Sequence, residues 1–190
     1  MMRLLALVLV FLVTGCVTVA KVDKGQQIVQ GRLVVELEGP WNQFASVGQA
    51  QIPTWTIDGF SVDRLQFFVG VTDGAVLAPA QPGAKDQRPL VFRAQMQPHE
   101  IVALYETYLT RDGSAFKLDR LEPIQFLGGQ GFRFAYLLTR RMDGVQLSGV
   151  GYGAVRGGEL FGIVYQAPRL GFFPRYSKQI ETMALSARLN

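Results

Sequence analysis

A run of strict alternation in the second half of the chain narrows the fold more than any other feature. Phe132, Phe134, Tyr136 and Leu138 alternate with Arg133, Ala135, Leu137 and Thr139, the period that puts every second side chain of a strand on one face. Asp143-Gly144 then offers a turn, Val145 to Arg156 a second long strand, Gly157-Gly158 another turn, and Leu160 to Gln166 a third strand. Turn-forming residues between strand-forming runs predict an antiparallel meander. Such a sheet has to bury at least one face, and the rest of the chain must supply the cover.

Two segments are suited to that. Pro98 fits a first helical position, Glu100 favours the positive helix end, and Gly113 stops the pattern. Between them Ile101, Leu104, Tyr105, Tyr108 and Leu109 share one helical face. A last helix is expected after Pro174, with Ile180, Met183, Ala184 and Ala187 on its inner side. Upstream, Leu33 to Leu37, Thr54 to Ile57, Leu65 to Val71 and Leu90 to Met96 are further strand candidates, and Pro79 to Pro89 is a Pro- and Gly-rich loop. The expected class is α+β, an antiparallel sheet with helices packed on it. With 190 residues, 48% of them hydrophobic and 18% charged, the chain suits one folded domain rather than disorder.

The first residues carry a different message. Arg3 is a short positive region, Leu4 to Val13 is an unbroken apolar run, and Thr14-Gly15 places small residues before Cys16, the tripartite pattern of an export signal. Leu12-Val13-Thr14-Gly15-Cys16 resembles the lipobox of bacterial lipoproteins. That resemblance implies cleavage before Cys16, so that residues 1–15 are a signal peptide, and acyl chains on the Cys16 thiol. The chain has a single cysteine, which leaves Cys16 without a disulfide partner. The competing reading, an uncleaved membrane helix over Leu4 to Ala20, is short for a hydrocarbon core of ~30 Å. Val17 stands where an Asp would resemble the inner-membrane retention signal, so the expected address is the outer membrane, facing the periplasm. Residues 16–31 are expected to be a lipidated tether reaching at most ~50 Å, followed by one domain over 32–190.

The order of strands, helix, meander and helix, the helix opening Met96-Gln97-Pro98-His99-Glu100, and the ending Glu181-Thr182-Met183-Ala184-Leu185-Ser186-Ala187-Arg188 resemble PsbP-like (Mog-type) domains. The resemblance implies a PsbP-like α/β/α sandwich. It also implies a non-catalytic, protein-binding role, because the family's better-known members are extrinsic binding subunits with no shared catalytic residues.

The residues themselves offer little chemistry. Lys and Arg number 19 against 15 Asp and Glu, and the mild excess is spread along the chain, so no nucleic-acid footprint is present. His99 is the only histidine; with one cysteine besides, zinc or copper would lack ligands, and no metal or cofactor is expected. His99 and Glu100 are expected to be a solvated pair at a helix start. Asp58 and Asp73 precede glycine, where they serve turns; with Asp63 they make a weak candidate for acid–base work. None of the serines sits in a Gly-x-Ser-x-Gly elbow.

Two features stay open. Gly149, Gly151 and Gly153 share one face of a predicted strand. The bare track is either covered by rings such as Phe132, Phe134 and Tyr136 or forms a groove for a small apolar ligand, which would make the protein a carrier or sensor. In Arg169-Leu170-Gly171-Phe172-Phe173-Pro174-Arg175, Leu170, Phe172 and Phe173 either staple the last helix to the core or form an exposed contact for a partner.

Overall fold

The computed structural model describes residues 19–44, 52–80 and 88–190. Residues 1–15, expected to be a signal peptide, and Cys16 lie outside them. Its elements are β1 (Val19–Val22), β2 (Gly25–Val29), β3 (Leu33–Leu37), β4 (Trp41–Phe44), β5 (Thr54–Thr56), β6 (Arg64–Val71), α1 (Pro98–Leu109), β7 (Ala115–Phe126), β8 (Gly129–Thr139), β9 (Gln146–Arg156), β10 (Glu159–Pro168), α2 (Phe172–Ser186) and β11 (Arg188–Leu189). An eight-stranded antiparallel sheet runs in the order β1-β4-β5-β6-β10-β9-β8-β7, beside a three-stranded sheet ordered β11-β3-β2.

The expected meander is β7 to β10, with Phe134 opposite Gly151 and Tyr165 opposite Val150. Each face of the large sheet has its own core. On one, Trp41, Trp55, Phe67, Tyr152, Ile163 and Tyr165 pack with Leu33 and Val35 of β3 and with Ile180, Met183 and Ala184 of α2. On the other, Phe68, Phe132, Phe134, Tyr136 and Val164 pack under Ile101, Val102 and Tyr105 of α1, with Leu77, Leu90 and Phe92 from the segment before that helix. The α+β class and the sandwich of helices around an antiparallel sheet are therefore observed.

The first helix starts as its sequence dictates. Glu100 Oε2 accepts the Gln97 backbone N–H at 2.7 Å, which satisfies one of the free donors of the first turn. α2 begins earlier than expected, at Phe172, with Gly171 (φ 87°) as the residue before it. Pro174 is thus its third residue, where a missing N–H breaks no helical bond.

Two expectations are corrected, and one strand is added. Residues 19–29 are not tether: Val19–Val22 pairs with β4 and Gly25–Val29 with β3, and both strands end on a buried valine, Val22 and Val29. Short edge strands that bury one or two side chains leave too little alternation to be seen among Lys21, Asp23, Lys24 and Gln26. The folded domain therefore reaches back to Val19 instead of starting at residue 32. Trp41–Phe44 is a strand that its short WNQF pattern did not announce. Leu90 to Met96 forms only a bridge, Val76 to Val91. Leu90 and Phe92 are buried there, so the apolar pattern reflects packing under α1 rather than membership of the sheet.

The edge strand β7 carries Lys117, Asp119, Arg120, Glu122 and Pro123 and a register shift between Leu118 and Arg120. Charge, proline and a bulge together keep such an edge from pairing with another chain.

Candidate functional site

The glycine track is filled. A methyl group added at Gly149, Gly151 or Gly153 would lie under 3.0 Å from the rings of Tyr136, Phe134 and Phe132 respectively. Register explains this, because each ring stands directly opposite its glycine on β8 and leans over the strand that has no side chains there. Phe134 stacks on Tyr136 at 5.8 Å and Tyr105 stacks on Phe134 at 5.4 Å, so α1 closes the track from above. The Tyr105 hydroxyl is buried against Gly162 with no hydrogen-bond partner among the described residues, and burial raises its pKa. The groove reading of Gly149, Gly151 and Gly153 is corrected: the physical reason is a run of aromatic rings already in that space.

The segment before α2 divides. Phe172 and Phe173 pack against the α2-side core, Phe173 stacks on Tyr165 at 6.0 Å, and the Arg175 guanidinium lies 5.3 Å from the Phe172 ring. They act as the staple, so their reading as partner contacts is corrected. Leu170, by contrast, is 85% exposed. Sequence reading missed its companion Met142, 81% exposed, in the Arg140–Val145 connection held shut by the Arg140–Asp143 ion pair at 2.6 Å. A methionine inside an otherwise polar turn was the available signal. Both residues sit at one end of the sheet, since Pro168 pairs with Leu147 and the Arg169 N–H donates to Gln146 O at 2.9 Å. Leu170 also lines a shallow depression with Val145 and Pro168.

A larger cleft, of about 500 Å³, opens where the start of α1 meets β7, β8 and β9. Met96, Ile101, Leu121, Phe132 and Val155 give it apolar walls, and His99 and Glu122 add polar groups. Its size falls in the usual range for small-ligand sites. His99 is exposed and Glu100 is engaged in capping, so the two do not form a dyad. Asp63 is fully buried and accepts from Thr56 Oγ1 and from the backbone N–H groups of Ile57 and Asp58. Asp73 accepts from the Ala94 N–H. The acidic residues thus hold loops. Among the described residues no group of three or more His, Cys, Asp and Glu side chains is placed to hold a metal, and no helix is long and apolar enough to cross a membrane.

No model of a known protein family matches the chain, and no curated protein does. Among solved structures it is similar to cyanobacterial PsbP (CyanoP) from Synechocystis sp. PCC 6803, with a TM-score of 0.58 at 10% identity, covering 93% of this chain and 95% of that one. A protein of unknown function from Pseudomonas aeruginosa, PA94, described as a putative regulator, matches with a TM-score of 0.41 at 13% identity over 84% of this chain and 94% of that one. With the element order and the two-sided core, the first of these shows that the chain has a PsbP-like α+β fold.

Proposed function

We propose that this protein is a lipid-anchored envelope lipoprotein whose PsbP-like domain is non-catalytic and binds a protein partner at the end of the sheet that carries Leu170 and Met142. The observation that carries the binding reading is that two large apolar side chains, Leu170 and Met142, 85% and 81% exposed, stand on loops at the same end of the sheet in a domain whose other large apolar groups are mostly buried. Isolated exposed apolar residues are ordinary, whereas neighbouring ones at a loop tip suit a contact surface. The likeness to a PsbP protein supports the fold on which this surface sits, and the roles stay our own reading.

The anchor is the Cys16 thiol, carrying acyl chains after removal of residues 1–15; two or three chains hold a protein where one is marginal. Because β1 starts at Val19, three residues after Cys16, the tether spans at most about 11 Å. The domain then lies against its membrane, on the periplasmic face of the outer membrane, with β1 as the near edge. In the sheet β4, β5 and β6 separate β1 from the strands that carry Met142 and Leu170, so anchoring leaves the contact surface free.

A second reading, a carrier or sensor of a small apolar ligand, is favoured by one observation, the cleft beside α1. Mass measurement of native material tests the anchor. The expected result is a chain beginning at Cys16 with acyl mass on it, and an unprocessed, unacylated product for Cys16→Ser. A native chain with Met1 in place and a bare thiol contradicts it.

A further inference from the structure

A second, polar pocket lies at the same end of the sheet as the exposed tip but on the α1 side. It holds about 160 Å³. Gln66, Tyr108, Ser114 and Gln166 line it, with Arg64 and Arg140 beside them. These residues come from β6, from the last turn of α1, from the connection before β7, from the connection between β8 and β9, and from β10.

Three of the side chains are more than nine-tenths buried or at that limit: Gln66 at 8% exposure, Gln166 at 9% and Ser114 at 5%. Polar side chains are seldom withdrawn this far without a purpose for their hydrogen bonds. Gln166 and Ser114 are each held by one bond and keep donors in reserve among the described residues, whereas Gln66 uses its amide on the hydroxyls of Thr54 and Tyr108. Gln66 Nε2 donates to the Tyr108 hydroxyl at 2.8 Å, which leaves the Tyr108 O–H to donate elsewhere. The Tyr136 hydroxyl donates to Gln166 Oε1 at 3.0 Å, and the Gln166 amide N–H groups have no partner among the described residues. Ser114 Oγ accepts the Arg141 N–H at 3.1 Å, leaving its own proton free. Arg64 uses Nε on Phe60 O, and its terminal nitrogens have no hydrogen-bond partner among the described residues.

We infer that this pocket is a binding site for a small carboxylate that also bears a hydroxyl or amino group. The spare donors of Tyr108, Gln166, Ser114 and Arg64 suit carboxylate oxygens. Asp112, also in the lining, and the carbonyl end of α1 disfavour a doubly charged anion and accept from the ligand's second group. The modest volume suits a ligand such as glycerate or serine. The site is independent of the partner surface and of the anchor.

The test uses the full-length chain in detergent, titrated with glycerate, with L-serine and with inorganic phosphate while backbone amide resonances are followed. One of the two carboxylates is expected to give saturable shifts at residues 64–66, 108–114 and 166. Arg64→Ala, a change at an exposed residue, is expected to weaken that binding at least about tenfold. Gln166→Met provides a second, interior variant with the same expected loss. If neither carboxylate saturates these resonances, if phosphate binds more tightly than both, or if Arg64→Ala leaves the affinity unchanged, the assignment is overturned.

Discussion

The glycine strand and the loop before α2 look alike in one respect: each presents a gap or an excess that invites a binding role. In the fold they part. Gly149, Gly151 and Gly153 lie mid-strand, where Tyr136, Phe134 and Phe132 on the next strand have the register to fill the gap. Leu170 lies just past the end of β10, where no neighbouring strand extends to cover it, and Met142 crowns the adjacent hairpin. A missing side chain inside a sheet is made up by its neighbours, whereas an apolar side chain beyond a strand end has none to shield it.

The comparison can be broken by substitution. Phe134→Ala removes the middle ring of the filled track and should cost about 3–5 kcal/mol, the range for a buried aromatic cut to alanine. A small thermal shift would mean the ring is not tightly held. Gly151→Val attacks the same contact from the other strand. Phe134 is fully buried and has no free space to retreat into, so overpacking should cost about 1–3 kcal/mol in thermal unfolding. A stable Gly151→Val protein would reopen the groove reading. Leu170→Ser belongs to the other side of the comparison and should change stability by less than about 0.5 kcal/mol. A large fall in melting temperature would place Leu170 with Phe172 and Phe173 in the staple.

Much of this fold was legible in the chain. The meander showed itself because the alternation from Phe132 to Thr139 is long enough to be unmistakable, and α1 because a start signal, a face and a stop signal agree. β1 and β2 were hidden because each buries a single side chain, too few to make a pattern, whereas β3, as long as β2, buries four. The rings over the glycines could be anticipated as one of two readings, since both partners lie in consecutive strands. The division of Leu170 from Phe172 and Phe173 needed coordinates: which apolar residue of the segment turns inward depends on where α2 starts. The polar pocket had no motif at all, because Gln66, Tyr108, Ser114 and Gln166 meet only through the sheet and helix that carry them.

The central claim is that the sheet end bearing Leu170 meets a protein partner while the domain stays at its membrane. A photo-reactive phenylalanine analogue in place of Leu170, irradiated in intact cells, tests it most directly, with the same analogue at Leu185, 57% exposed near the far end of α2, as comparator. The account predicts a discrete protein adduct from position 170 that is absent from position 185 and lost in the Met142→Ser background. No adduct at 170, or the same adducts from both positions, would contradict it.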